Sequence, residues 1–311
     1  MAVLTRNLAR DGSFAPAAVN VLGQIPDKFV FNLPHSLRHP ESTYALSLEK
    51  VGRAYLTVAN SWKAVLPGLV EGQPFDLNSL LEGQEQLLRA VQEHIGDCWL
   101  VLKTLVNPNQ SASMELFADR YVIASKLPGA KAFREAVQPY WAALLTNKIR
   151  HNLGRLRGVV IWLPGGPRAG YYLEEPDPAG QLGPSREFHP DGGAISFARD
   201  LGWHLFNIFL CSDRLATAVA RALRGLHGCK LTPAAVKPDK RWAEIATFAA
   251  QMPQAVFPKE KQIAVFELDG AGQTLRAKFP VAASGKFPGT ITVTVATVGD
   301  GHSRTFKVPL P

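Results

Sequence analysis

The feature that most constrains the fold is a change in hydrophobic period. Up to about residue 250 apolar residues recur every three or four positions; from 261 onward they recur every second position. The first spacing builds one stripe of a helix and the second builds one face of a strand. Four alternating runs end the chain: 261–269 and 274–280 around Asp269-Gly270-Ala271-Gly272, then 290–298 and 303–310 around Gly299-Asp300-Gly301. Short Asp/Gly connections of this kind predict hairpins. Ile291, Val293 and Val295 fall on one face and Thr290, Thr292 and Thr294 on the other, with Leu275, Ala277, Phe279, Phe306, Val308 and Leu310 extending the apolar set. A sheet with one apolar face needs a covering layer. The chain is therefore expected to be α+β: an N-terminal helical layer or bundle, a central β-hairpin, further helices, and a C-terminal four-stranded antiparallel sheet packed on helices.

Upstream, residues 1–40 read as a loop-like arm broken by prolines, with a short strand expected over 28–33. One helix is expected from Ser42 or Thr43 to Pro67, and a longer one from Asp76 to Asn107-Pro108. Two more follow over 112–125 and 130–150, the second kinked at Pro139. Runs 158–163 and 169–174 flank Pro164-Gly165-Gly166-Pro167 as a hairpin, and a Pro- and Gly-rich loop over 175–193 is the place to look for a site. Helices resume over 194–211, from Ser212 or Asp213 to Gly225 or Gly228, and over 239–251. This organisation divides the chain into an arm and helical region, 1–157, and a mixed region, 158–311, able to join as one continuous domain.

Several function classes are excluded by what the sequence lacks. Its three cysteines, Cys98, Cys211 and Cys229, have no CxxC spacing, which removes a disulfide framework or zinc knuckle. No apolar run reaches membrane-spanning length and no secretory signal opens the chain, so a cytoplasmic protein without a membrane partner is expected. Phosphate-binding, dinucleotide, nucleophile-elbow and zinc-protease motifs are all missing, and no cofactor is expected. Charge leans the other way: Lys and Arg total 34 against 26 acids, a net +8. Lys126, Lys131, Arg134, Lys148, Arg150, Arg155 and Arg157 have only Glu135 among them, and Arg221, Arg224, Lys230, Lys237, Lys240 and Arg241 only Asp239. Such a field attracts phosphate backbones or acidic protein surfaces, and the nearby Trp162, Tyr171 and Tyr172 would suit base stacking.

Chemistry-bearing residue types concentrate over 188–204. Arg199-Asp200-Leu201-Gly202-Trp203-His204 resembles the Arg, polar, three-residue, His motif of HEPN-type ribonucleases. The resemblance covers six residues and implies an all-helical, dimeric RNA-cleaving domain. In that setting Arg199 would hold the scissile phosphate and His204 would act as general acid or base. On one helix the two lie roughly 140° apart, so they would converge near a shared dimer cleft. The same residues also suit a packed helix in which Trp203 and His204 face a core and Arg199 pairs with an acid. His189-Pro190-Asp191 is the H-x-D half of an iron site, with His302 as its distal ligand, but the helical period of 215–226 contradicts the barrel such a site requires; it reads equally as a turn before a helix.

The leading expectation is a basic interaction protein without catalytic activity, associated with RNA or DNA or a subunit of an assembly. Its contact residues are Lys148, Arg150, Arg155, Arg157, Arg221, Arg224, Lys237, Lys240 and Arg241. The alternatives are a metal-independent ribonuclease using Arg199 and His204, and a structural module with protein partners only.

Overall fold

A stripe of Tyr44, Leu48, Val51, Tyr55, Val58, Trp62, Val65 and Leu69 organises helix α2, Pro40–Glu71, and all eight side chains are buried. The helix does not stop at Pro67 as expected but runs through it to Gly72, whose left-handed backbone ends it. Pro67 and Lys63 are both exposed, so the carbonyl that the proline ring leaves without a donor faces water while Val65 and Leu69 stay packed. Helix α3, Asn78–Lys103, lies against α2, and Gly83 allows this, since a Cβ there would meet the Val58 side chain at 3.3 Å.

The computed structural model describes every residue except 10–11, 73–74, 112, 139, 141–145, 147–148, 150–153, 164–165, 177–179, 190–192, 232–238, 254, 258–259, 282–288, 297–302 and 311, and gives the backbone alone for 110, 163, 289–296 and 303–310. The expected kink at Pro139 lies outside the described residues. Around α2 and α3 are α1 (Ala18–Leu22), α4 (Ala118–Ala124), α5 (Ala130–Val137), α6 (Phe197–His227) and α7 (Arg241–Gln251). The strands are β1 (Ala2–Asn7), β2 (Arg155–Leu163), β3 (Gly166–Pro176), β4 (Leu182–Pro184), β5 (Ile195–Ser196), β6 (Ile263–Leu268), β7 (Thr274–Val281), β8 (Gly289–Ala296) and β9 (Ser303–Leu310). Mixed helices and antiparallel sheets make the fold α+β.

Sheet topology departs from the expected C-terminal arrangement. The final four strands do not form one sheet: β6 and β7 join β1 in the order β1-β7-β6, while β8 and β9 pair with each other, Ile291 opposite Val308. β1 comes from the arm expected to be loop-like. Only Leu4 of its six residues is fully buried, so no alternation announces it, and its pairing partner lies some 270 positions away, Leu4 opposite Ala277. The four-stranded sheet is instead central, built from β2 and β3 with β4 and β5 on β3; β4 falls within the segment expected to be a loop. The short strand expected over 28–33 is a 3₁₀ turn, Asp27–Phe29.

α6 is the axis of the molecule. It was expected as two helices parted at Ser212 or Asp213, yet it is one 31-residue helix, about 45 Å long. Ser212 is fully buried mid-helix, and its Oγ accepts from the Tyr44 hydroxyl at 2.7 Å and the Ala18 amide at 2.9 Å, so the residue that looks like a cap serves α1 and α2. Ser196 is the true N-cap, accepting from the Arg199 amide at 3.2 Å. Gly202, a weak helix former, is needed because the Ala264 carbonyl of β6 passes 2.9 Å from where its Cβ would be. One buried cluster, from Leu4 to Ala277, draws on α1–α7, on the β1-β7-β6 sheet and on the central sheet.

Candidate functional site

Two groups of functional residue types lie on α6, one on each half. In the N-terminal half the cap at Ser196 sets the phase of the helix, turning Asp200 and His204, one turn apart, toward the interior. Asp200 is the hub. Its Oδ2 accepts from Gln84 Nε2 of α3 at 2.5 Å, from the Tyr171 hydroxyl of β3 at 2.6 Å and from His204 Nε2 at 2.9 Å, and its Oδ1 accepts from Arg199 at 3.1 Å. The Tyr140 hydroxyl donates to His204 Nδ1. Arg199 is further fixed by the Gln262 side chain at 3.0 Å, the Lys261 carbonyl at 3.3 Å and the Trp203 ring beneath its guanidinium.

Burial alone would raise the Asp200 carboxyl, but His204, Arg199 and the Tyr171 hydroxyl outweigh it and hold Asp200 below the usual carboxylate range. Burial, followed by the Asp200 charge, pushes the Tyr171 hydroxyl well up, and burial does the same to Tyr140, so both remain donors. Asp200 and His204 have no accessible surface and Arg199 only 6%. The structure thus joins the ribonuclease-like pair through Asp200 and commits both imidazole nitrogens to internal partners. A general acid or base must come within hydrogen-bond reach of its substrate, and here that reach is filled by protein. The network ties α6 to α3, β3 and the chain at Tyr140.

His189 is similarly occupied. Its Nε2 accepts from the Leu173 amide at 2.9 Å and its Nδ1 donates to the Gly193 carbonyl at 2.8 Å, which locks the end of the Pro- and Gly-rich segment onto β3. Burial lowers its pKa to about 4. Asp191 and His302 lie outside the described residues, among which no group of three metal-ligating side chains gathers.

The C-terminal half of α6 is the reverse case. Arg214, Arg221 and Arg224 recur at helical spacing and are exposed, and among the described residues none pairs with a carboxylate. α5 lies alongside: Gly129 would put a Cβ 2.7 Å from the Ala218 Cα, and Pro128 abuts Gly225. This close seat is possible because Gly129 holds φ +88°, a conformation that side chains other than glycine rarely adopt. Lys126, Lys131 and Arg134, on this neighbouring helix or just before it, are exposed as well, so both members of the packed pair carry accessible cations. Glu135, the one acid of α5, stands 4.0 Å from Lys131 and lines a cavity together with Arg214; Asp213, the acid of this part of α6, is taken by Arg6.

The other expected contact residues divide. Arg155 is exposed at the start of β2, in the sheet that meets the opposite end of α6 through β5, and Lys240 is exposed before α7. Arg157 is turned to Glu174, with Nε at 3.1 Å and Nη2 at 3.0 Å from the same oxygen. Arg241 bonds Asp239 and the Glu49 carbonyl of α2, so it fastens α7 to the helical layer. Lys148, Arg150 and Lys237 lie outside the described residues. Sequence reasoning missed Arg214, whose seven- and ten-residue spacing to Arg221 and Arg224 was its available signal. Comparison of the chain with protein families, curated proteins and solved structures finds no match.

Proposed function

We propose that this chain is a basic, non-catalytic interaction protein that holds nucleic-acid backbones along the ridge where α5 lies beside the C-terminal half of α6. The observation that carries this reading is the shared exposed face of Arg214, Arg221 and Arg224, which form no ion pair among the described residues, on the half of α6 where α5, with its exposed Lys131 and Arg134, is packed. The three arginines span about 15 Å along the helix, enough to meet successive phosphates of one strand. Arginine donors on an accessible face suit phosphate oxygens, whereas the buried Arg199 is already saturated by protein acceptors.

Fluorescence anisotropy with labelled single-stranded RNA and DNA across a salt series tests the proposal. Binding should weaken steeply as salt rises and be abolished by combined reversal of Arg214, Arg221 and Arg224 to Glu. Arg155→Glu, in the sheet at the opposite end of α6, serves as the control arm and should leave binding unchanged; Arg155 forms no ion pair among the described residues that its loss would disturb, whereas loss of Arg157 would strand Glu174. Absence of binding at low salt removes the reading.

A further inference from the structure

The opposite electrostatic character appears between α3 and α4, where a groove of about 560 Å³ opens beside the exposed segment before α4. Its floor is α3 at Gly96, where a Cβ would meet no atom within 4 Å, so the groove owes its depth to the missing side chain. Phe117, which lines it together with Trp99 and Leu100, is 65% exposed, and Met114 and Leu116 in the segment leading to it are 93% and 89% exposed, a run of large apolar side chains that a surface facing water alone does not need. Three acids, Glu93, Asp97 and Asp119, line it against one lysine, Lys50, which sits 3.5 Å from Glu93. Arg120 lies over the Phe117 ring. On a chain of net +8 this groove is locally acidic.

We propose that the α3–α4 groove docks a basic, apolar peptide segment of a protein partner, its cation on Asp97 and Asp119 and its apolar side chains against Phe117 and the exposed segment that leads to it. Asp97 is positioned for this. Ser47, whose oxygen meets His94 Nδ1 at 2.9 Å, lies close enough to the Asp97 carboxylate to favour the charged form. Partial burial raises the Asp97 carboxyl, and an arriving ammonium or guanidinium supplies the compensation that water gives only in part. A phosphate backbone would be repelled by the same three acids, which separates this surface from the α5–α6 ridge. An amphipathic segment laid between two helices is a recurrent mode of peptide recognition, with apolar anchors giving affinity and charge giving register.

The test is an anisotropy titration of the full chain with a short labelled amphipathic peptide of Leu, Ala and Arg, beside the same peptide with Glu in place of Arg. Binding of the Arg peptide only is expected, with a loss of at least about tenfold in Leu116→Ser/Phe117→Ser and in Asp119→Lys, and blockade by Gly96→Leu, which fills the floor with a better helix former. Circular dichroism melts establish that each variant is folded. Equal binding of the two peptides, indifference to the groove variants, no binding of the Arg peptide, or displacement by single-stranded RNA each overturns the proposal. Sedimentation showing self-association that these variants abolish assigns the groove to a second copy, and likewise overturns it.

Discussion

The two halves of α6 put the same residue type to opposite uses. Near its N-terminus Arg199 is buried, stacked on Trp203 and spent on Asp200 and Gln262; in its C-terminal half Arg214, Arg221 and Arg224 are exposed. The first half resembles a catalytic motif in its letters and is an internal tie in its geometry. The second carries no motif and is the accessible one. Residue identity at functional spacing therefore says little until the phase of the helix against its neighbours is known, since a rotation of about 100° per residue decides between core and solvent.

The sharpest way to break this contrast is Asp200→Ala. It leaves Arg199, His204, Tyr171 and Gln84 without their common acceptor in the core, and a loss of about 3–5 kcal/mol in urea unfolding is expected. A loss below about 1 kcal/mol would mean that the network is not the tie described here. Because Asp200 is held below the usual carboxylate range, its contribution is complete at neutral pH and is lost as pH falls through its folded value. Asp200→Asn should flatten that acid limb.

Gly129→Ala comes next, with about 1–3 kcal/mol lost, since the new methyl would meet the Ala218 backbone at a strained φ. By forcing α5 off α6 it should also weaken nucleic-acid binding without touching a charge. Retained stability together with retained affinity would break the idea of one ridge made from both helices.

Glu260 tests the cap that sets the phase of α6. Its carboxylate accepts from the Ser196 amide at 2.7 Å, the Ser196 hydroxyl at 2.5 Å and the Phe257 amide at 2.7 Å, yet burial pushes its pKa up to about 7. The folded state therefore holds a proton that the unfolded chain releases, so this contribution is full below the ordinary carboxylate value and fades as pH rises to about 7. Glu260→Gln should remove that slope. His94 and His189, both lowered to about 4 by burial, act in the other direction: their contribution is present above the ordinary histidine value and is lost as pH falls toward 4. Unfolding midpoints measured from pH 4 to 8 in Glu260→Gln and wild type separate the two, since the histidine limb remains in the variant; an unchanged slope in Glu260→Gln would count against the buried carboxyl.

The smallest effect on stability is expected where the functional effect is largest. Reversal of Arg221 and Arg224 to Glu should shift unfolding by no more than about 0.5 kcal/mol, because both side chains face water without ion pairs among the described residues. Nucleic-acid affinity should fall strongly. A large stability change would show that these arginines are structural after all.

Much of the helical layer was legible because long stripes such as Leu48 to Val65 admit one reading, and the alternation at 263–281 gave its strands for the same reason. β1 was not, because an edge strand with one buried residue leaves no local pattern and depends on β7 for its hydrogen bonds. Ser212 misled as a cap because a hydroxyl that can close a helix end can equally accept from a neighbouring helix, and only the position of Tyr44 chooses between them. The site followed the same rule. The basic stretches were visible as composition, whereas the loss of Arg157 to Glu174 and of Arg241 to Glu49 depended on which chain lay opposite.

By itself, then, the sequence determined the α+β class, the order of most elements and the excess of positive charge, because periodicity and composition are local properties that survive any packing. The tertiary structure alone decided that Arg199 and His204 point inward to Asp200, that the final strands divide between two sheets, and that α5 packs on the half of α6 that exposes Arg214, Arg221 and Arg224. Each of those outcomes rests on contacts between distant segments, such as Gly129 against Ala218 and Leu4 opposite Ala277, and no spacing along the chain encodes which surfaces will meet.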